Sequence, residues 1–200
     1  MVCYKQNWES GDLSAPTNRF RSGVTNQLPE NALIGVMYIG QQWNNNVGFP
    51  FRIAPGAAGD PYLAHTGLQV EHALPGLVGF EWDAVVSNGN TPSGLVVLGA
   101  STVSSESIES TADDDTYVLA GAPYAQVAHM ARYTAASGAK VFATGSNQWI
   151  YGLDSDYLFV NGHTGFYEDI RAKQIATNVF ADMESLPMTP TPGIIVYGAP

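Results

Sequence analysis

Apolar and polar positions along this chain fall into short runs, and their order predicts the elements. Leu33-Ile34-Gly35-Val36-Met37-Tyr38-Ile39 is a continuous apolar segment between Pro29 and the polar stretch Gly40–Gly48, and it reads as a buried strand. Asn44-Asn45-Asn46 reads as a loop tip, because Asn tolerates left-handed backbone. A turn cluster, Pro55–Pro61, closes this irregular, strand-rich front. From Leu77 the pattern changes to alternating strands and helices. Leu77–Asp83 and Gly94–Ala100 read as strands, the second unbroken enough to suit a sheet covered on both faces. The spacing of Val127, Met130, Ala131 and Thr134 predicts a helix over about Ala122–Ser137, with Gly138 as its stop. Lys140–Gly145 is the next buried strand. A last helix is expected from Glu168 to Glu184, with Ile175, Val179, Phe180 and Met183 as its apolar stripe, ended at Leu186-Pro187.

Strand, strand, helix, strand, helix predicts an α/β fold, with a largely parallel sheet flanked by helices behind an irregular β-rich N-terminal part. The organisation expected is one domain over residues 1–192, with the β-rich front at 1–76 and the α/β part at 77–186. A Pro-rich linker and tail occupy 187–200, and no internal repeat is visible. Two hundred residues suffice for one sizeable core.

Charge narrows the partners. Eight basic against eighteen acidic residues give a net charge of −10, which argues against nucleic acid and against an anionic membrane surface. No apolar run reaches the ~18 residues of a membrane span. Only 13% of residues are charged, so Asn, Gln, Ser, Thr and Gly must make much of the polar surface. That style and the scarcity of lysine lean toward an extracellular or surface parent; the compartment is otherwise open. Cys3, the single cysteine, excludes an internal disulfide and a multi-Cys zinc site.

Glu81 is the leading candidate for chemistry. On a strand it shares a face with Gly79 and Asp83, while Phe80 and Trp82 turn the other way. Two acids beside a glycine suit a cation or a proton shuttle; a strand end paired with Arg or facing water fits the same residues. Thr144-Gly145-Ser146-Asn147-Gln148-Trp149 follows a predicted buried strand, where ligands gather in open α/β sheets. Gly145 permits close backbone approach, and Asn147 and Gln148 can donate to a substrate carbonyl, or the loop satisfies its own amides. Glu81 and Gln148 are thus the candidate catalytic groups, with Asn147, Trp149 and His163 as candidate substrate contacts. His163 sits in Asn161-Gly162-His163-Thr164-Gly165, a loop that can reach a ligand. His129 reads as a surface or packing residue of the predicted helix. His65, His72, His129 and His163 form no zinc pattern, there is no GxSxG elbow, and Asp113-Asp114-Asp115 lacks the rest of a calcium loop. Trp8, Trp43 and Tyr62 in Asn/Gly-rich surroundings admit a sugar-binding surface.

Six segments in order carry a resemblance. They are Val2–Trp8, Pro29–Leu33, Gly79–Asp83, Ala136–Phe142, Gly145–Asp154 and Asn178–Met183. Together they resemble the C-terminal domain of the N,N-dimethylformamidase large (beta) subunit and its relatives in bacterial surface or secreted proteins, from Val2 to about Pro192. The resemblance implies a fold similar to class I glutamine amidotransferases, with a largely parallel sheet. It also implies a mononuclear Fe(III) site of two tyrosinates and one glutamate, in which the metal polarises a linear amide and activates water. Glu81 is the position matching that glutamate.

The chain departs from the family in one respect. Both metal tyrosines are implied to precede Val2, and the His-x-Glu-Tyr-Trp type motif of one of them is missing; Tyr4 and Tyr38 do not match. The expectation is therefore a structural or interaction module incomplete for catalysis alone, more in keeping with no bound iron than with Fe(III). The alternative is an iron-dependent amide hydrolase completed by an upstream segment or partner. A partial sheet exposes strand edges and an apolar face, which predicts self-association or a partner chain.

Overall fold

Strand pairing in the computed structural model, which describes residues 28–42, 48–104, 108–109, 125–154 and 167–196, is antiparallel at every described ladder. The first described element is a one-turn helix, α1 (Asn31–Ile34), followed by β1 (Met37–Gln42) and β2 (Phe49–Arg52). Two 3₁₀ turns follow, Pro55–Ala57 and Pro61–Leu63, before β3 (Ala73–Val78) and β4 (Glu81–Ala84). Next come β5 (Val96–Ser104), β6 (Ile108–Glu109), β7 (Ala125–Thr134), β8 (Lys140–Ala143), a 3₁₀ turn at Asn147–Gly152 and helix α2 (Ile170–Asp182). Among the described residues they form three small sheets, ordered β4-β1-β6, β2-β3 and β5-β7-β8.

The expected α/β architecture with a parallel, helix-flanked sheet is therefore overturned, and so is the glutamine-amidotransferase-like fold implied by the resemblance. One segment accounts for most of the error. The helix expected over 122–137 is strand β7. Its residues obey period two, with Gln126, Ala128 and Met130 buried while Val127 is 41% exposed. Gln126 disguises the alternation, because a polar residue on the buried face breaks the apolar pattern. Its amide is satisfied by tertiary bonds: Trp82 Nε1 donates to Gln126 Oε1 at 2.7 Å, and Gln126 Nε2 donates to Ile39 O at 3.2 Å. With 125–134 a strand, no crossover helix remains among the described residues between β5 and β8. Only Ala135–Ala139 joins β7 to β8, too short for the dozen or more residues a parallel return needs. Gly138, expected to stop a helix, instead supplies φ +88° in this hairpin, where Ala135 and Ala139 share a hydrogen bond of 2.8 Å.

Two other strands are redrawn. The segment 33–39 divides into α1 and the start of β1, and Gly35 at φ +85° closes the short helix. The single strand expected at 77–83 is two, β3 and β4, separated by Gly79 and by Phe80 at φ +55°.

The core joins all three sheets to α2: Phe51, Ile53, Leu74, Leu77, Trp82, Leu98, Met130 and Ile175 are each at most 2% exposed. Helix α2 forms where expected. Asp169 caps it, accepting from Arg171 N at 2.8 Å. Its buried stripe is Ala172, Ile175 and Val179, whereas Phe180 is 54% exposed. Polar residues complete the docking. Asn178 Nδ2 donates to the carbonyls of Tyr62 and Ala64, and Tyr62 Oη donates to Asp182 Oδ2 at 2.7 Å. Gln174 exchanges both backbone bonds with Ile195, at 2.7 and 2.8 Å, which lays the residues after Pro187 back along the helix. No described helix is long and apolar enough to cross a membrane.

The Asp182 knot makes acid stability testable. Burial alone would raise its carboxyl, but the bonds from Tyr62 and Lys140 outweigh burial and hold it below the usual carboxylate range. A carboxyl depressed by folding stabilises fully above its unfolded value of about 4, and that stabilisation is lost as pH falls through the folded value. Urea midpoints between pH 6 and pH 3 should therefore fall more for the native chain than for Asp182→Asn. Equal acid responses would remove the knot's role.

Candidate functional site

The β3–β4 turn and the loop after β8 meet edge to edge, and Ser146 joins them. Its hydroxyl accepts from Gly79 N at 2.9 Å and from Gln148 N at 3.2 Å, and donates to Gly79 O at 3.2 Å. The same serine N-caps the 3₁₀ turn Asn147–Gly152, a role its residue type favours. Trp82 forms a bridge with Ser146, and Asp83 N donates to Gly145 O at 2.9 Å. Gly145 is obligatory here. It has φ +69°, and a Cβ would lie 1.9 Å from His129 O.

This junction brings two of the predicted residues together. Asn147 Nδ2 donates to Glu81 Oε2 at 3.0 Å. Glu81 is half-buried at the start of β4, directly opposite Gln41 of β1. Along the same pair of strands Tyr38 lies opposite Asp83, and its hydroxyl donates to Gln41 Oε1 at 3.0 Å. The resulting ribbon of Tyr38, Gln41, Glu81 and Asp83 continues into Asn147 and is polar, while Trp82 and Ala84 point to the core.

Other predicted residues are placed differently. Gln148 is 1% exposed, with its amide laid against Gly79, where a Cβ would be 2.1 Å from Oε1. Trp149 is 4% exposed and meets Phe51 edge-on, ring centroids 5.3 Å apart. Both are buried in this geometry. His163 lies outside the described residues, as do Trp8, Trp43, Tyr4 and Cys3. Tyr62, expected as an exposed aromatic, is 3% exposed under Arg132, whose guanidinium sits 5.0 Å from the ring centroid. Burial and the bond to Asp182 push the Tyr62 phenol well above its ordinary value, so it stays protonated.

Reading the sequence missed Ser146 and Gln41. The first had a local signal, a serine just before the turn. The second had none, because it meets Glu81 only through strand register.

Chemically, the junction offers one half-buried carboxylate and one neutral amide, which can accept and donate hydrogen bonds to a small polar ligand. Among the described residues no three His, Cys, Asp or Glu side chains converge on a point, and the Tyr38 hydroxyl is engaged as a donor. A search of curated proteins finds no match to the chain. Residues 1–164 match a family model described as N,N-dimethylformamidase beta subunit-like, C-terminal, and the chain therefore belongs to that family.

Proposed function

We propose that this chain is a structural or interaction module of a dimethylformamidase-like protein and does not hydrolyse amides alone. The observation that carries the reading is the setting of Glu81, whose carboxylate accepts from the Asn147 amide at 3.0 Å and lies opposite a second neutral amide, Gln41. Amide hydrolysis by a Lewis-acid route needs a metal held by several hard ligands to polarise the carbonyl and activate water. Glu81 supplies one carboxylate, bonded to Asn147, and among the described residues no three His, Cys, Asp or Glu side chains group to hold a metal ion. An interaction role is supported by apolar surface at the C-terminal end of α2, where Phe180 and Leu186 are 54% and 38% exposed. The family's description as subunit-like agrees with a module that works beside other chains or segments.

The purified chain should be colourless and iron-free, inactive on linear amides such as dimethylformamide, and should sediment as more than a monomer at micromolar concentration. A clean monomer would remove the self-association part.

The second reading is an iron-dependent amide hydrolase completed by a partner or upstream segment, with Glu81 as its carboxylate ligand. It is favoured by the held position of Glu81 beside the Asn-Gln turn. Iron in the purified chain, a visible tyrosinate-to-iron band and loss of that band in Glu81→Gln would replace the first reading with this one.

A further inference from the structure

Strand β4 lies at the edge of its sheet, so the backbone N–H groups on its outer side need acceptors from elsewhere in the fold. The Asp83 N–H finds Gly145 O at 2.9 Å. Two residues on, just past the strand, the Val85 N–H donates to His129 Nδ1 at 3.2 Å. Residues two apart on an extended chain point the same way. The imidazole thus stands where the next carbonyl of a pairing strand would be. Gly145 packs directly on the backbone oxygen of His129, so the two acceptors form one rigid edge. Because Nδ1 accepts, the neutral ring must carry its proton on Nε2.

We propose that His129 is an acid-sensitive latch: while neutral it holds the free edge of β4 to β7, and when protonated it releases that edge. The imidazolium has two N–H donors and no acceptor, so the Val85 N–H would face another N–H. A half-buried ring would also acquire a charge. Burial already holds the imidazole below its ordinary value. The charged side chains of the packed elements are Glu81 and Asp83 on β4, Arg132 on β7 and Lys140 on β8; β5 carries none. An imidazole depressed by folding stabilises fully above its unfolded value of about 6.5, and that stabilisation is lost as pH falls below it. Glu81 begins the same strand, and its partner Asn147 follows Gly145 by two residues. Releasing the edge therefore also loosens the Glu81–Asn147 contact. The latch does not depend on what chemistry, if any, Glu81 performs.

The test uses the full chain in two measurements. In an NMR titration His129 should protonate below 6.5, and the Val85 amide should lose its exchange protection over the same range. Urea midpoints at pH 7.5 and 5 should then separate the native chain from His129→Asn, whose side-chain oxygen can accept near the Nδ1 position but cannot titrate. Between these pH values the native folded-to-unfolded ratio should fall about sevenfold if folding depresses the imidazole by one unit, rising to a limit of about thirtyfold for larger depressions, and the variant should lack that part of the response. Titration of His129 at or above 6.5, or a variant with the native pH response, would overturn the latch. If His129→Asn does not fold, the titration of the native chain decides alone.

Discussion

Gly145→Ala is expected to lower the stability of the protein by roughly 4 kcal/mol. A left-handed backbone costs an L-residue about 1–2 kcal/mol, and Gly145 has φ +69°. The larger part comes from the clash. A Cβ 1.9 Å from His129 O meets backbone rather than a side chain that can swing away. The loop must retreat from β7, which strips the Asp83–Gly145 bond and the Ser146 bonds to Gly79, at about 1 kcal/mol each. Gly89 is the control. It has φ +79°, yet no atom lies within 4 Å of its Cβ position, so Gly89→Ala should cost only the backbone part. Urea unfolding of both variants measures the difference, and equal losses would mean that Gly145 is not wedged against β7. A loss near 4 kcal/mol takes a large share of the ~5–15 kcal/mol that holds a domain folded. It should also free Asn147 from Glu81, since both lie on the displaced junction.

Trp82→Ala should cost about 3–5 kcal/mol, the usual range for emptying a buried aromatic site. Trp82 is fully buried, and its ring meets Phe49 edge-on with centroids 6.2 Å apart. It touches all three sheets: it belongs to β4, packs on β2 and bonds to Gln126 of β7. Trp82→Phe separates the contributions, because it keeps most of the apolar volume and removes the indole N–H. Gln126 Oε1 would then be buried without its donor, at about 1–3 kcal/mol. Gln126→Leu in the Phe background should recover part of that loss, although Ile39 O would lose its own donor. Denaturant midpoints of the three variants check the order: Ala lowest, Phe between, the double variant nearer to native. If Trp82→Phe matched the native chain, the Trp82–Gln126 bond would contribute nothing.

These two variants probe the features hardest to see in the sequence. Helix α2 was legible, because the spacing of Ile175 and Val179 and the stop at Leu186-Pro187 lie within a few turns of one another. The hairpin turn at Gly138 was legible as a stop, though not as a stop of a strand. β7 was misread because Val127, Met130, Ala131 and Thr134 happen to fit helical spacing, while its true alternation includes a buried glutamine. The break between β3 and β4 was invisible, since a Phe at φ +55° has no local signature and is disfavoured there. At the candidate site, Glu81 and the Asn147 loop were singled out separately and are found hydrogen-bonded. Which way the loop's neighbours face was not readable. Gln148 and Trp149 turn inward because a 3₁₀ turn set by Ser146 aims them at Gly79 and Phe51.

What the sequence determined by itself is therefore local or cumulative: an acidic chain without a membrane-spanning run, the caps and left-handed turns at Ser146, Asp169 and Gly138, and the ordered short motifs that place it in its family. Tertiary structure alone decided that the strands pair antiparallel, that Gln126 is an inside residue and that Glu81 faces Gln41 and Asn147. The reason is the range of the forces. A cap or turn is set by groups three or four residues away. The identity of a strand's partner depends on buried bonds such as Trp82 to Gln126 and Gln126 to Ile39, whose partners are 44 and 87 residues apart and are satisfied only once the sheets have packed.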